Sequence, residues 1–238
     1  MTSIGIIGSE GRMGQALASA ASDYGVSVAG AIGRGGDPIA LAKSADVLID
    51  FSAPSALVAN VGAAVAAGTP ILVGTTGLDE QHRQALSDAA RHVAVLQTGN
   101  TSLGVTLLSR LVREAAARLG SDWDIEIVEM HHRDKIDAPS GTALQLGKAA
   151  ARGRGVHLDP NRSGHEGGRK LGEIGFASLR GGSVAGDHSV IFAGNGERIE
   201  LIHRAESRSL FAGGAIRAAL WLLEQPLGRY EMDQVLGM

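Results

Sequence analysis

The chain has 238 residues, 44% hydrophobic and 20% charged, enough to bury one large core or two small ones. A formal charge of −3 gives no electrostatic reason to expect nucleic acid or an acidic membrane as partner. With no cysteine there is no disulfide framework, thiol nucleophile or thiolate metal site. No segment carries the ~20 apolar residues of a membrane span, and Ile4-Gly5-Ile6-Ile7 is too short for a secretion signal, so a cytoplasmic protein is expected. The anomaly is glycine: 34 of them against 3% aromatic residues call for many tight backbone turns.

From residue 3 to about 100, short β-branched runs alternate with alanine-rich helical stretches, the pattern of βαβ units in a Rossmann-like, doubly wound α/β domain with a parallel sheet. Strands are expected over 3–8, 26–32, 47–51, 71–74 and 93–97, and helices over 13–21, 55–67 and 80–91, the second opened by Pro54 and closed by Gly68. A helix over 103–119 leads into 123–130, whose alternating acidic and aliphatic residues read as a half-buried strand ending at His131-His132. After a helix near 142–151, residues 152–170 are rich in Gly and Arg and read as a surface loop. Three period-two segments, 173–179, 188–192 and 198–205, sit between Gly-Gly-Ser and Gly-Asn-Gly turns and are expected to pair antiparallel. They make the second half α+β, with a mainly antiparallel open sheet. The apolar helix over 211–223 is expected to return to the first domain. The expected division is therefore a dinucleotide-binding domain of residues 1–102 and 213–238 and a second domain of residues 103–212.

Between the first strand and first helix lies Gly8-Ser9-Glu10-Gly11-Arg12-Met13-Gly14, where a dinucleotide-binding turn belongs. Gly8 and Gly11 let the backbone pass close to a pyrophosphate, and the helix N-terminus behind them offers N–H donors and a partial positive charge. A tight strand-to-helix turn alone would use the same glycines; the strand in front and the helix behind favour a cofactor. At the end of the second strand, where an acid would bind an adenosine ribose, stands Gly33-Arg34-Gly35-Gly36. An arginine without an acid suits a 2′-phosphate, so NADPH is expected to serve at least as well as NADH. Gly74-Thr75-Thr76-Gly77 and Thr98-Gly99-Asn100-Thr101 close the fourth and fifth strands, at the carboxyl ends where open α/β sheets bind ligands.

The stretch from Glu126 to Thr142 crowds acids, bases and an anion-binding turn into one segment. His131 and His132 end a strand, so their side chains diverge. Lys135 adds a cation or second proton donor within the same turn. Gly141 and Thr142 begin a helix whose N–H groups and hydroxyl suit a carboxylate. A metal site is not expected, although His131, His132, Asp134 and Asp137 are possible ligands, because adjacent strand histidines point apart and Lys135 repels a cation.

The run Glu129-x-His131-His132-x-x-Lys135-x-Asp137-x-Pro139-Ser140-Gly141-Thr142-Ala143 resembles the signature of the 4-hydroxy-tetrahydrodipicolinate (dihydrodipicolinate) reductases of the diaminopimelate–lysine pathway. The likeness extends to Gly8-x-x-Gly11-Arg12-Met13-Gly14, Asp50-Phe51-Ser52, Gly74-Thr75-Thr76-Gly77, Asn100, Gly175-Phe176 and Ala219-Leu220-Trp221. It implies that His131 gives or takes a proton, Lys135 donates one, and His132, Gly141 and Thr142 bind substrate. It further implies that Gly8, Ser9, Glu10, Gly11, Arg12, Met13, Arg34, Gly74, Thr75, Thr76, Thr98, Gly99, Asn100 and Thr101 hold NADPH or NADH. The implied reaction delivers hydride to C4 of 4-hydroxy-tetrahydrodipicolinate with loss of the hydroxyl as water. The second domain then becomes the substrate-binding and tetramerisation domain of a homotetramer.

This chain departs from the family pattern at Gly33, where a Glu often precedes the arginine, at Thr101, where an aromatic commonly stands, and at Ala53, where some members have arginine. Basic residues of 152–170, among them Arg152, Arg154, Arg162, Arg169 and Lys170, could close over a dicarboxylate as a lid. Two other readings stay open: a protein that senses NAD(P)H without turnover, and a reductase for another imine or an aldehyde.

Overall fold

Aliphatic runs apolar on both sides of the strand become a sheet covered on both faces. In the computed structural model, which describes residues 1–159 and 168–238, the first runs are β1 (Ser3–Ile7), α1 (Arg12–Ala20), β2 (Ser27–Ile32), α2 (Pro38–Ser44), β3 (Val47–Asp50), α3 (Pro54–Ala67), β4 (Ile71–Val73), α4 (Glu80–Ala89) and β5 (Ala94–Gln97). They continue as α5 (Leu103–Arg118), β6 (Asp124–His131), α6 (Gly141–Arg154), β7 (Ile174–Arg180), β8 (Gly186–Ala193), β9 (Arg198–Ala205), α7 (Ser209–Leu222), β10 (Gly228–Tyr230) and α8 (Met232–Val235). The chain divides into two units, one of Met1–Leu103 with Ser209–Met238 and one of Gly104–Arg208.

The first unit holds a six-stranded parallel sheet in the order β10-β5-β4-β3-β1-β2. Strand alternation splits its core in two. Ile4, Ile6, Val47, Ile49, Leu72 and Leu96 face one cluster, completed by α1 and α7. Leu48, Ile71, Val73 and Val95 face the other, with Leu41, Leu57, Val61 and Leu86 from α2, α3 and α4. Small residues let α7 come close: a Cβ at Gly214 would sit 1.9 Å from the Thr101 carbonyl. Its return to this unit moves the boundary to Ser209, four residues before the 213 read from sequence. The short α2, β10 and α8 were not expected: the helices span seven and four residues, too few for a helical period to show, and β10 is Gly-Arg-Tyr with no aliphatic run.

The second unit packs α5 and α6 against a four-stranded sheet in the order β7-β6-β8-β9. Its pairing corrects the sequence reading in one place. β8 lies antiparallel to β6 and β9, but β7 lies parallel to β6. The cause is connectivity: β6 reaches β7 through α6 and a long segment, the kind of crossover a parallel pair needs, while a tight Gly-Asn-Gly turn joins β8 to β9. The expected loop over 152–170 also begins later than read, because α6 runs on to Arg154. Residues 160–167, including Arg162 and His165, lie outside the described residues.

Candidate active site

Strand phase builds a polar patch at one end of the second sheet. β6 turns Ile125 and Ile127 into the core and, in the same phase, buries Glu129 and His131, while Val128 and Met130 take the opposite face. The apolar–acidic alternation thus reverses at Val128, and an acid enters the interior. Register extends the row: Ser178 of β7 and His188 of β8 flank Glu129, His203 of β9 lies beyond His188, and Arg180 lies beside His131.

The Glu129 side chain is 1% exposed and its carboxylate is saturated. Arg180 donates Nη1 to Oε2 and Nη2 to Oε1, both at 2.9 Å. Oε1 also accepts from the Ser140 N–H at 3.2 Å, and Oε2 meets His131 Nδ1 at 2.5 Å. Burial pushes the carboxyl pKa up, but hydrogen bonds from Arg180, Ser178 and His131 outweigh it and hold Glu129 below the usual range. An ionised carboxylate only accepts, so His131 Nδ1 carries a hydrogen and Nε2 is left for proton exchange. A Cβ at Gly186 would stand 3.0 Å from that Nε2, so glycine keeps this edge of the ring open.

The loop after β6 is tied to the same pair. Arg180 donates to the Asp137 carbonyl at 2.7 Å and to the Lys135 carbonyl at 3.3 Å. Lys135 Nζ contacts both Asp137 carboxylate oxygens at 2.8 Å, and these bonds lower the Asp137 pKa. The peptide between Ala138 and Pro139 is cis. Ser140 caps α6, its Oγ accepting from the Ala143 N–H at 3.1 Å and meeting His188 Nε2 at 2.9 Å. Burial first, then the neighbouring His131, pushes the His188 pKa down to about 4, so this imidazole is neutral at pH 7. Gly141 and Thr142 form the first turn of α6, where helix N–H groups point outward. A Cβ at Gly141 would meet nothing within 4 Å, so there is room beside this residue of the first turn. His132 diverges from His131 and accepts from Arg208 Nη2 at 3.0 Å.

The structure therefore brings His131, Lys135, Gly141 and Thr142 onto one short stretch around the Glu129–Arg180 pair. Sequence reading had not assigned Arg180, His188 or Arg208 to the site, nor a role to Glu129. The available signal was phase: Arg180 follows Ile174 and Phe176 at period two, so it had to share their face. Arg169, among the basic residues read as a solvated face with a lid as the second possibility, pairs with Asp124 and Glu126 of β6.

In the first unit, Gly11, Arg12, Met13, Gly74, Thr75 and Thr76 line a cavity of about 260 Å³ together with Phe51 and Ser52. Gly8 has φ +89°, and a Cβ there would lie 2.5 Å from the Phe51 carbonyl. A Cβ at Gly14 would lie 2.4 Å from the Gly8 carbonyl, and one at Gly74 would strike the Phe51 ring at 2.2 Å. Backbone alone fills this turn, and α1 begins behind it with no side-chain cap on Gly11. The buried Asp50 anchors the neighbouring wall, accepting from Ser52 N–H at 2.8 Å, Asn60 Nδ2 at 3.0 Å and the Thr75 hydroxyl at 3.4 Å. These features fit a nucleotide pyrophosphate. Arg34 is exposed just after β2, and the Glu10 carboxylate occupies the space beside Gly33 that a side chain there would take. Thr98, Gly99, Asn100 and Thr101 do not line the cavity: Thr98 bonds to Asn100, and the Thr101 hydroxyl donates to the Phe211 carbonyl at 2.7 Å. Among the described residues no three metal-ligating side chains cluster, and no helix is long and apolar enough to cross a membrane.

Two family models together span the chain: dihydrodipicolinate reductase, N-terminus, over residues 2–101, and dihydrodipicolinate reductase, C-terminus, over residues 104–236. This chain belongs to the dihydrodipicolinate reductase family. It is 57% identical over 246 residues to the 4-hydroxy-tetrahydrodipicolinate reductase of Zymomonas mobilis, covering 99% of this chain and 97% of that one. The reductase of the same name from Acidiphilium cryptum is 50% identical over 240 residues, with the same coverage. A dipicolinate-bound dihydrodipicolinate reductase from Paenisporosarcina sp. TG-14 shares the fold, with a TM-score of 0.81 over 97% of each chain at 22% identity. Both units of this dihydrodipicolinate reductase family member thus have counterparts in its relatives, the α/β parallel sheet and the mostly antiparallel α+β sheet alike.

Proposed function

We propose that the chain reduces 4-hydroxy-tetrahydrodipicolinate to tetrahydrodipicolinate, with NADPH or NADH as reductant, in the cytoplasmic diaminopimelate route to lysine. The observation that supports this most is the His131–Glu129–Ser140 arrangement. An imidazole whose Nδ1 is held by a carboxylate, next to the start of α6, suits proton exchange with a small carboxylate that has a reacting carbon beside it.

In this reading the first unit is the dinucleotide domain. Gly8, Ser9, Glu10, Gly11, Arg12 and Met13 hold the pyrophosphate, Gly74, Thr75 and Thr76 the wall of the cavity, and Arg34 the adenosine end, with residues 98–101 closing the fifth strand. The cofactor, when bound, supplies a hydride. The second unit does the rest. Gly141 and Thr142 take a substrate carboxylate on the α6 N-terminus, and His132, steadied by Arg208, binds alongside. Loss of the substrate hydroxyl as water requires one proton. Lys135 delivers it from Nζ once it leaves Asp137, and His131 Nε2 takes or returns a proton while Glu129 holds Nδ1. Lysine lends a positive charge as well, which the dianionic substrate attracts.

The outer face of the second sheet supports a homotetramer. Leu179 and Ile202 are 50% and 48% exposed; Met130 stands beside Leu179, and Ala177, Val128, Ser189 and Ile202 form one row across the sheet. Light scattering of the purified protein tests this directly. For the activity, the decisive experiment is oxidation of NADPH and of NADH with freshly made 4-hydroxy-tetrahydrodipicolinate. Turnover is expected with both cofactors. Cofactor binding without turnover would leave a sensor, and turnover only with another imine or aldehyde would change the substrate. Arg34→Ala is expected to lower kcat/KM for NADPH more than for NADH; an unchanged ratio removes Arg34 from cofactor choice.

A further inference from the structure

We propose that Glu129 is the positioning residue of the proton machinery: its one carboxylate sets both the working tautomer of His131 and the place of the helix end that takes the substrate anion. The proposal rests on His131 being the proton group of the reaction.

A carboxylate has about four acceptor directions, and here two go to Arg180, one to Ser140 and one to His131, with Ser178 also in hydrogen-bond contact. Oε1 takes Arg180 Nη2 and the Ser140 N–H, and Oε2 takes Arg180 Nη1 and His131 Nδ1. The guanidinium fork fixes the plane of the carboxylate. The two remaining directions then point one hydrogen bond at the imidazole and one at the cap of α6. Ser140 closes the second branch, since its Oγ caps Ala143 and meets His188. Arg180 adds a third branch through the carbonyls of Lys135 and Asp137, so the backbone carrying the second proton group hangs from the same pair. Ser178 from β7 and His188 from β8 complete the ring of groups around Glu129. A core carboxylate kept only for packing would not have each oxygen shared between a guanidinium and one functional element.

Glutamine is isosteric but turns one of the two oxygens into an NH2 donor. Facing His131, that donor leaves Nδ1 as the acceptor and moves the ring hydrogen to Nε2, which inverts the tautomer. The test uses the full chain with Glu129→Gln, His131→Asn and the double variant. Nitrogen-15 spectra of the cofactor-free protein at neutral pH report which imidazole nitrogen of His131 bears the hydrogen. Wild type is expected to show Nδ1–H and Glu129→Gln to lose that state. Steady-state rates should show kcat down on the order of 10²-fold in Glu129→Gln, within the range general acid–base catalysis contributes, with the cofactor KM nearly unchanged. In the His131→Asn background the same change at 129 should lower kcat less than about 3-fold, because the group it orients is gone, while the substrate KM rises in both backgrounds as the Ser140 branch weakens.

An unchanged tautomer in Glu129→Gln, or an equal loss of kcat in both backgrounds, overturns the proposal and leaves Glu129 a residue of the fold. Should Glu129→Gln not yield folded protein, Glu129→Asp keeps the charge and withdraws the carboxylate by one carbon, and the same non-additivity with His131→Asn is required. Wild-type kcat in His131→Asn would instead defeat the role given to His131, and the spectra would still judge Glu129.

Discussion

The two units make their sites from different materials. The cavity at the ends of β1, β3 and β4 is shaped by missing side chains: Gly8, Gly14 and Gly74 stand where any Cβ would strike backbone or the Phe51 ring. The patch at the end of β6 and β7 is shaped by buried side chains, with Glu129, His131, Ser140 and His188 all under 9% exposed. The first kind of site needs room and backbone N–H groups, and tolerates exposed side chains such as Arg12 around it. The second depends on charge and on donor–acceptor matching, because an unpaired polar group inside is expensive. Substitutions should therefore act by volume in one unit and by electrostatics in the other.

The largest effect is expected at Lys135. Lys135→Ala should lower kcat by roughly 10²- to 10³-fold, in the range of lost general acid catalysis, while NADPH affinity measured by fluorescence titration stays the same. Equal losses in both would reduce Lys135 to a support for the loop. Gly14→Ala tests the opposite regime: the added methyl presses on the Gly8 carbonyl, and overpacking of this kind costs about 1–3 kcal/mol. Denaturant unfolding should show that loss, with cofactor affinity falling and the site of the second unit untouched.

Acid should probe the buried patch in particular. His188 is pushed from an ordinary 6.5 down to about 4 in the fold, so the unfolded chain takes up its proton first. Its contribution is complete above pH 6.5 and is lost as pH falls toward 4, about 3 kcal/mol in all. His188→Gln should flatten the stability curve across that window. Glu129 acts lower down: its folded pKa lies below the ordinary 4.5, so its share is present above 4.5 and disappears beneath it. A pH-independent stability between 6.5 and 4 in wild type would show that water reaches His188. The smallest effect is expected from Gly141→Ala. Its methyl meets no protein atom within 4 Å, so stability should hold while the substrate KM rises about tenfold through crowding of the bound anion.

How far each unit could be read beforehand follows the same division. The parallel sheet was legible because runs such as Val47-Leu48-Ile49 and Ile71-Leu72-Val73 are apolar on both sides and are punctuated by Pro54 and Gly68. The glycine turn was legible because its reason is local. His131, Lys135 and the Ser140 cap share one short run, so their proximity was already in the chain. Arg180 and His188 were not visible as site residues, since they come from β7 and β8, about fifty residues from Glu129. The parallel pairing of β7 was equally hidden, because period-two alternation does not state the direction of a neighbour.

Local organisation, then, was legible in the amino-acid sequence alone: two sheets, a glycine turn opening a helix, a run of titratable side chains before a capped helix, and a family likeness carried by those residues. Tertiary structure decided which face of β6 each residue took. The phase of Ile125 and Ile127 is set by burial against α5 and α6, and a strand cannot slip by one residue without exposing its core. That constraint carries Glu129 inward, where the distant Arg180, with Ser178 and His131, keeps it charged.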